Sequence, residues 1–356
     1  MYVLYLILAG ISFLCLKYRL TDISKKIVLI CWFIAFLLLG TYAYYTDDYE
    51  PYVELVDKAY ITPFAYFHIE QFWIVLMEYF RGDIDGFRFI SMILLSISLV
   101  LIMIRSKVNP IYFISFYTIL CLNTHVCWVR QPLAYCLILL ALVYYSERKF
   151  AKTVIAFLLL GLALYVHKSS ILLLCVLPFL FISVTKRKNI LKFVVLFPML
   201  FCFFLKALST LEAVLGINME WYLEAENVYA ERHIVFLIIA NIITAIQFYI
   251  FGLTIYLFRN TSILIERTLV SSLFGIVYIS AFLFLLPFDA NTIYVRLMAF
   301  GGFIAVLLWS GNVSLLKKVK KYKCIVVLAA FWFSLVLISM LLNNYTRIDR
   351  LTKLPW

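Results

Sequence analysis

Twelve apolar segments follow one another along this chain. They lie at about 2–16, 27–42, 89–104, 110–127, 131–146, 153–166, 170–184, 190–205, 233–258, 268–287, 296–311 and 324–342. Soluble domains are about half apolar. Here 65% of residues are hydrophobic and the mean hydropathy is +1.02. A single core cannot hide that much apolar surface from water, but a bilayer can solvate it. The chain therefore reads as an all-α polytopic membrane protein with about 12 transmembrane helices, forming a single integral membrane domain over 1–356. Met1–Leu16 has no basic residue before its apolar run and no small-residue cleavage site after it. It reads as a first, rather short membrane helix and not as a cleaved leader.

The net charge of +12 is unevenly distributed. Alternate connections are short and basic: "KYRLTDISKK", "RSK", "SERKFAK", "TKRKN" with Lys192, "RNTSILIER" and "LKKVKKYK". They hold 20 of the 31 Lys and Arg but 3 of the 19 acids (Asp22, Glu147 and Glu266). The positive-inside rule assigns this face to the cytoplasm and puts both termini outside. The basic balance thus reports orientation, and no nucleic-acid partner is implied. All eight cysteines lie in or at the ends of apolar segments without CxxC spacing, so they read as small buried residues. Cys121 and Cys127 lie nearest the outer surface and are the one pair to check for a disulfide.

Two outer connections are long, about 43–88 and 206–232, and long connections in compact proteins are often functional. Within the first, "FAYFHIEQFWIVLMEYF" (64–80) is apolar enough to be helical. It reads as an interfacial helix, because a further crossing would invert every later loop and spoil the charge asymmetry. The second mixes acids with aromatics and reads as a pair of short outer helices. Most of the 25 Tyr and 32 Phe read as interfacial belt or lipid-facing residues.

Some polar residues are not explained by lipid. Arg130 stands 16 residues before Ser146, and His167 stands 15 residues after Lys152. At about 1.5 Å rise per residue, both lie roughly 24 Å above the same basic turn. Pro132 suits the first turn of a helix, which puts Arg130 and Gln131 at a helix N-terminus, a place that favours anions. Arg296 opens another apolar segment on the outer side. Arg130, His167, Lys168 and Arg296 are thus expected to form one cationic cluster, and arginine suits phosphate oxygens. The acidic candidates facing it are Asp48, at the end of the second segment, and Glu70. The four histidines are scattered, no metal-binding motif occurs, and no nucleotide or nucleophile-elbow motif is present, so no metal or cofactor is expected.

Five motifs in order resemble the EpsG family of Wzy-like polysaccharide polymerases. "TDDYEPY" resembles its G-T-D-Y-x-x-Y signature, and "HIEQFWIVLMEYF" its Glu-bearing apolar segment. "WVRQPLAYCLILLAL" resembles its I-R-Q-G-I-A helix start, "YVHKSSILLL" its F-H-x-S-A element, and "YVRLMAFGG" its late Arg-bearing helix. The elements run from about residue 1 to 340. Tyr42 stands near where the family has an arginine, and "RQP" replaces "RQG". The resemblance implies a multi-pass protein of the bacterial cytoplasmic membrane with an outward-facing active site. It implies a metal-independent, GT-C-like glycosyltransferase that joins oligosaccharide repeat units carried on undecaprenyl pyrophosphate into O-antigen, capsule or exopolysaccharide. A chain-length-regulating copolymerase and a flippase are the implied partners.

In that chemistry Arg130 and Arg296 clamp the pyrophosphate, with Lys168 in support. Asp48 is the first choice for the base that takes the acceptor proton, and His167 the second. His167 could instead protonate the leaving group. Glu70, Gln131 and Tyr49 complete the substrate-binding set. Two rivals stay open: a lipid-linked oligosaccharide flippase, which predicts mid-membrane polar residues and inverted repeats, and another outward-facing polyprenyl-dependent transferase, ligase or acyltransferase.

Overall fold

A computed structural model describes residues 2–18, 20–43, 49–59, 70–174, 176–181, 234–284, 291–318 and 320–352. Among these residues the secondary structure is helical and no strand occurs. In chain order the helices are α1 (Tyr2–Lys17), α2 (Asp22–Thr41), α3 (Tyr49–Ala59), α4 (Gln71–Phe80), α5 (Ile84–Ser106), α6 (Pro110–Leu120), α7 (Leu122–Cys127), α8 (Arg130–Ser146), α9 (Phe150–Val166), α10 (Ile171–Leu174), α11 (Ile234–Phe258), α12 (Leu264–Phe284), α13 (Asn291–Gly311), α14 (Val313–Lys318) and α15 (Tyr322–Thr352). Three stretches among the described residues are long and apolar enough to cross a membrane: Asp22–Thr41, Ile84–Ser106 and Leu264–Ala281. Several shorter apolar helices accompany them, so the chain is a multi-pass membrane protein by composition and architecture.

Several helices begin before their apolar segments do. α2 starts at Asp22, where Thr21 Oγ1 accepts from the Ser24 amide, and α5 starts at Ile84, where Asp83 accepts from the Gly86 amide. The first turn of a helix tolerates polar residues because its amides need acceptors. Hydropathy therefore marks the lipid-embedded part of a helix, not its capped ends. Two expected segments differ in kind. The run 110–127 is broken at Cys121 into α6 and α7. The run 170–184, as far as Phe181, is not a membrane helix. It comprises a 3₁₀ turn at Lys168–Ser170, the four-residue α10 and a 3₁₀ turn at Leu177–Phe181 containing Pro178. Proline disfavours the α conformation in the residue before it and lacks an amide donor. The segment 190–205, the second outer connection 206–232, and Asp47, Asp48, His68 and His233 lie outside the described residues. Cys121 and Cys127 are not joined to each other in a disulfide.

Most of α8 is buried on every side, and it packs against α5, α9 and α12. A helix that is apolar all round belongs in the centre of a bundle. Its neighbour α9 exposes Phe157, Leu158, Leu162 and Tyr165, the face a lipid chain would cover. The described basic turns gather at one end of the bundle. Tyr322 donates to the Leu16 carbonyl (2.7 Å), Lys317 donates to the Tyr112 hydroxyl (3.2 Å), and Asn312 donates to Glu266 (2.8 Å). Arg105 and Lys152 both lie over the Tyr144 ring, at 5.1 and 5.0 Å. The N-terminus of α8, the C-terminus of α9 and the N-terminal part of α13 are therefore at the opposite end.

Close helix contact also depends on Gly301. A Cβ added there would come 2.8 Å from Phe251 Cε2 of α11 and 3.2 Å from Ile276 of α12. Gly301→Val is expected to separate α11, α12 and α13 and to destabilise the protein by about 1–3 kcal/mol. Thermal unfolding of the detergent-solubilised variant measures this, and an unchanged midpoint would contradict the packing.

Candidate functional site

One carboxylate organises the end of the bundle opposite the basic turns. Glu70 occupies the N-cap position of α4, but its side chain does not cap that helix. It turns outward from α4 toward two other helices. Its Oε2 accepts from Arg130 Nη1 at 3.0 Å, and its Oε1 accepts from His167 Nδ1 at 2.9 Å and from the Lys168 amide at 2.9 Å. Arg130 is the first residue of α8, and His167 is the C-cap of α9. Counting helix rise from the shared turn at Ser146–Lys152 places these two at one level, and a single side chain bridges them there.

Trp73 holds the carboxylate's own helix in place. Its Nε1 donates to the Val166 carbonyl at 2.6 Å, one residue before His167. This ties the first turn of α4 to the last carbonyls of α9, which would otherwise lack partners. α4 itself rises about 15 Å, half the thickness of a bilayer core. The part of 64–80 that is described is thus too short to cross.

Arg130 is further held by Tyr52 of α3. The Tyr52 hydroxyl accepts from Arg130 Nε at 3.2 Å, and the guanidinium carbon lies 5.9 Å from the ring centroid. The Arg130 side chain keeps 21% of its surface exposed, against 4% for Glu70 and 7% for His167. The arginine is therefore the most exposed member of the trio. Gln131 is buried. Its amide donates to the Tyr135 hydroxyl, which donates to the Arg296 carbonyl at 2.8 Å. This relay docks the start of α13 against α8. Arg296 lies close enough to His167 to oppose its protonation. Arg130, His167 and Arg296 are thus brought together. Lys168 joins through its amide, with its side chain half-buried. Tyr49, at the start of α3, donates to Asp85 at 3.4 Å. Asp48, its neighbour in sequence, is outside the described residues.

The electrostatics follow from burial and neighbours. Burial pushes the Glu70 carboxyl up, but the hydrogen bond from His167 and the positive Arg130 outweigh it and hold it at about 2. Burial depresses His167 to about 4. The pull of Glu70 only partly opposes this, and Arg130 and Arg296 add to the depression. At neutral pH the imidazole is therefore uncharged, and its hold on Glu70 is a hydrogen bond; Arg130 is the ionic partner. An ionised carboxylate can only accept, so Nδ1 must carry the hydrogen. Nε2 is left as a bare lone pair, buried and without a hydrogen-bond partner. That arrangement, a carboxylate fixing the tautomer of a neutral histidine, leaves the second nitrogen able to take a proton.

Tyr52, Trp73 and Tyr135 do not stand out in the sequence. Tyr52 lies inside "TDDYEPY", the string that carries the family resemblance. The other two are aromatics among many, and no local signal separates them from a membrane belt. Among the described residues no group of three His, Cys, Asp or Glu could hold a metal ion.

Neither a curated protein nor a solved structure matches the chain. A model of the EpsG family matches residues 26–349, and the chain belongs to that family.

Proposed function

We propose that this member of the EpsG family is a polysaccharide polymerase that joins oligosaccharide repeat units carried on undecaprenyl pyrophosphate. Its site faces outward from the bacterial cytoplasmic membrane, the basic turns being cytoplasmic by the positive-inside rule. What carries this is the buried Glu70 carboxylate, which holds an arginine and a neutral histidine side by side at the end of the bundle opposite the basic turns. Such a site offers both things that transfer from a lipid pyrophosphate needs. One is positive charge where the leaving group collects negative charge; the other is a base for the incoming hydroxyl.

In the reaction, the acceptor hydroxyl oxygen forms a bond to the anomeric carbon while the bond from that carbon to the pyrophosphate oxygen breaks. The hydroxyl proton passes to His167 Nε2. Glu70 stabilises the imidazolium that results, as a fixed carboxylate does for a histidine base. The pyrophosphate departs with its charge met by Arg130 and Arg296, with Lys168 in support. His167 is preferred to Asp48 as the base because its tautomer is set by Glu70. Gln131 acts through Tyr135 to seat Arg296. Asp48 and Tyr49 are left to the acceptor side. A flippase would supply the substrate, and a copolymerase would set chain length.

Deletion and complementation test the reading. Loss of the gene product should leave single repeat units and no ladder when surface glycan is run on a gel. Complete absence of glycan would point to a flippase and overturn it. The pH profile tests the base. Turnover should be flat near neutrality and fall as the pH drops through about 4, where His167 becomes protonated. An acid limb at the ordinary imidazole pKa of about 6.5 would instead argue against this buried histidine as the base.

A further inference from the structure

Arg88 stands at the start of α5 and is completely buried. A cation is costly at such a position unless it is well partnered. Its partners come from three separate elements. Nε donates to the Gly40 carbonyl at 2.7 Å, one residue before the end of α2, and Nη2 donates to the Val126 carbonyl at 2.8 Å, one residue before the end of α7. Both are carbonyls of a last helical turn, where positive charge is favoured. The guanidinium carbon also lies 5.6 Å from the Tyr49 ring centroid and 5.9 Å from that of Tyr52, both on α3.

Tyr52 is therefore shared. Arg88 lies 5.9 Å from its ring centroid and Arg130 lies at the same distance, and the Tyr52 hydroxyl accepts from Arg130 Nε. Next to Arg88, Phe87 contacts the Tyr52 ring (centroids 6.1 Å apart) and the Trp73 ring (5.9 Å). Tyr52 is thus confined by the first turn of α5 and presents its hydroxyl to the Arg130 guanidinium, which also binds Glu70.

We propose that Arg88 is a positioning residue for the transfer reaction: by tying the ends of α2 and α7 to the faces of Tyr49 and Tyr52, it fixes the Tyr52 hydroxyl that orients Arg130. The inference rests on Arg130 meeting the substrate, as assigned above. Arg88 itself, fully buried, touches no substrate. The role needs a planar fork that bonds two carbonyls in different directions while its face covers aromatic rings. A lysine ammonium has the charge but not that geometry. Placement of a transition-state cation is sensitive to small displacements, and a shift of about 1 Å can cost about a hundredfold.

The test is a double-mutant cycle on the full-length protein in detergent. It is supplied with lipid-linked repeat units extracted from a strain that lacks the protein. Turnover is counted per folded molecule. Arg88→Lys should lower kcat by about tenfold or more, Tyr52→Phe should lower it by several-fold, and the double variant should be no slower than Arg88→Lys alone, since both changes release the same contact. If the two effects multiply, or if Arg88→Lys loses activity only in proportion to folded protein, Arg88 is a structural residue and the inference fails while the site stands. If Arg130→Ala keeps full turnover, the site assignment falls, and the inference falls with it.

Discussion

His167→Asn is expected to abolish the polymer ladder at normal protein abundance, with turnover reduced about 10²- to 10⁴-fold, the usual worth of a positioned general base. Asparagine is chosen because its amide can still donate toward Glu70, so the buried carboxylate keeps a partner on that side. What asparagine lacks is the second nitrogen. In the native site Nδ1 is committed to Glu70 at 2.9 Å, and Nε2 is the buried lone pair without a partner. The substitution thus separates the proton-accepting function from the packing function. Lipid-linked single repeat units should accumulate, and thermal stability should change little. A His167→Asn protein that still makes a ladder would show that the proton goes elsewhere, with Asp48 the first residue to examine.

Glu70→Ala should be more damaging than any other single change at the site, because it acts on stability and catalysis together. The carboxylate is 4% exposed and is the shared acceptor for Arg130, His167 and the Lys168 amide. Removing one partner of a buried ion pair leaves an uncompensated charge, a loss on the order of 3–5 kcal/mol. Arg130 retains 21% side-chain exposure, so water relieves part of that and the lower end is expected. Glu70→Gln separates the two effects. Its amide oxygen can still accept from His167 Nδ1 and the Lys168 amide, but its amide nitrogen then meets Arg130 Nη1 donor to donor, so folding should recover only in part while the imidazolium formed in the reaction loses its countercharge. Thermal unfolding and turnover, measured on both variants, should therefore diverge. Equal turnover in Glu70→Gln and the native protein would mean that the carboxylate is only a structural tie.

The Glu70 ion pair also fixes the pH range of its own contribution. Its carboxyl sits at about 2 in the fold, below the ordinary carboxylate range. The stabilisation it gives is therefore complete above that ordinary range, and is lost as pH falls through the folded value. His167 works in the same direction. Its folded pKa, about 4, lies below that of a free imidazole, so stability declines as pH falls from the free value toward the folded one.

The site was partly legible in sequence for a specific reason. Helix rise is a local, nearly constant quantity, so counting residues from a tight basic turn places Arg130 and His167 at one height without any knowledge of packing. The same counting could not reveal that Glu70 joins them, because Glu70 is separated from Arg130 by 60 residues and from His167 by 97. Arg88 was hidden differently. At the edge of an apolar segment it reads as a loop residue, yet it is fully buried because α2, α3 and α7 close over it. The break at Cys121 and the short turns of 168–181 were likewise unreadable from hydropathy, which reports what a residue is solvated by and not whether the backbone runs on.

By itself, then, the sequence determined the solvent this protein folds in, its helical class, its alternating charge and the shared height of its arginine and histidine. Each of these depends on composition or on geometry within a single helix. The tertiary structure decided which carboxylate bridges them, which nitrogen of His167 is free, and which buried arginine holds the wall behind Arg130. Those depend on side chains meeting across helices far apart in the chain, and only the packed bundle brings them within hydrogen-bonding distance.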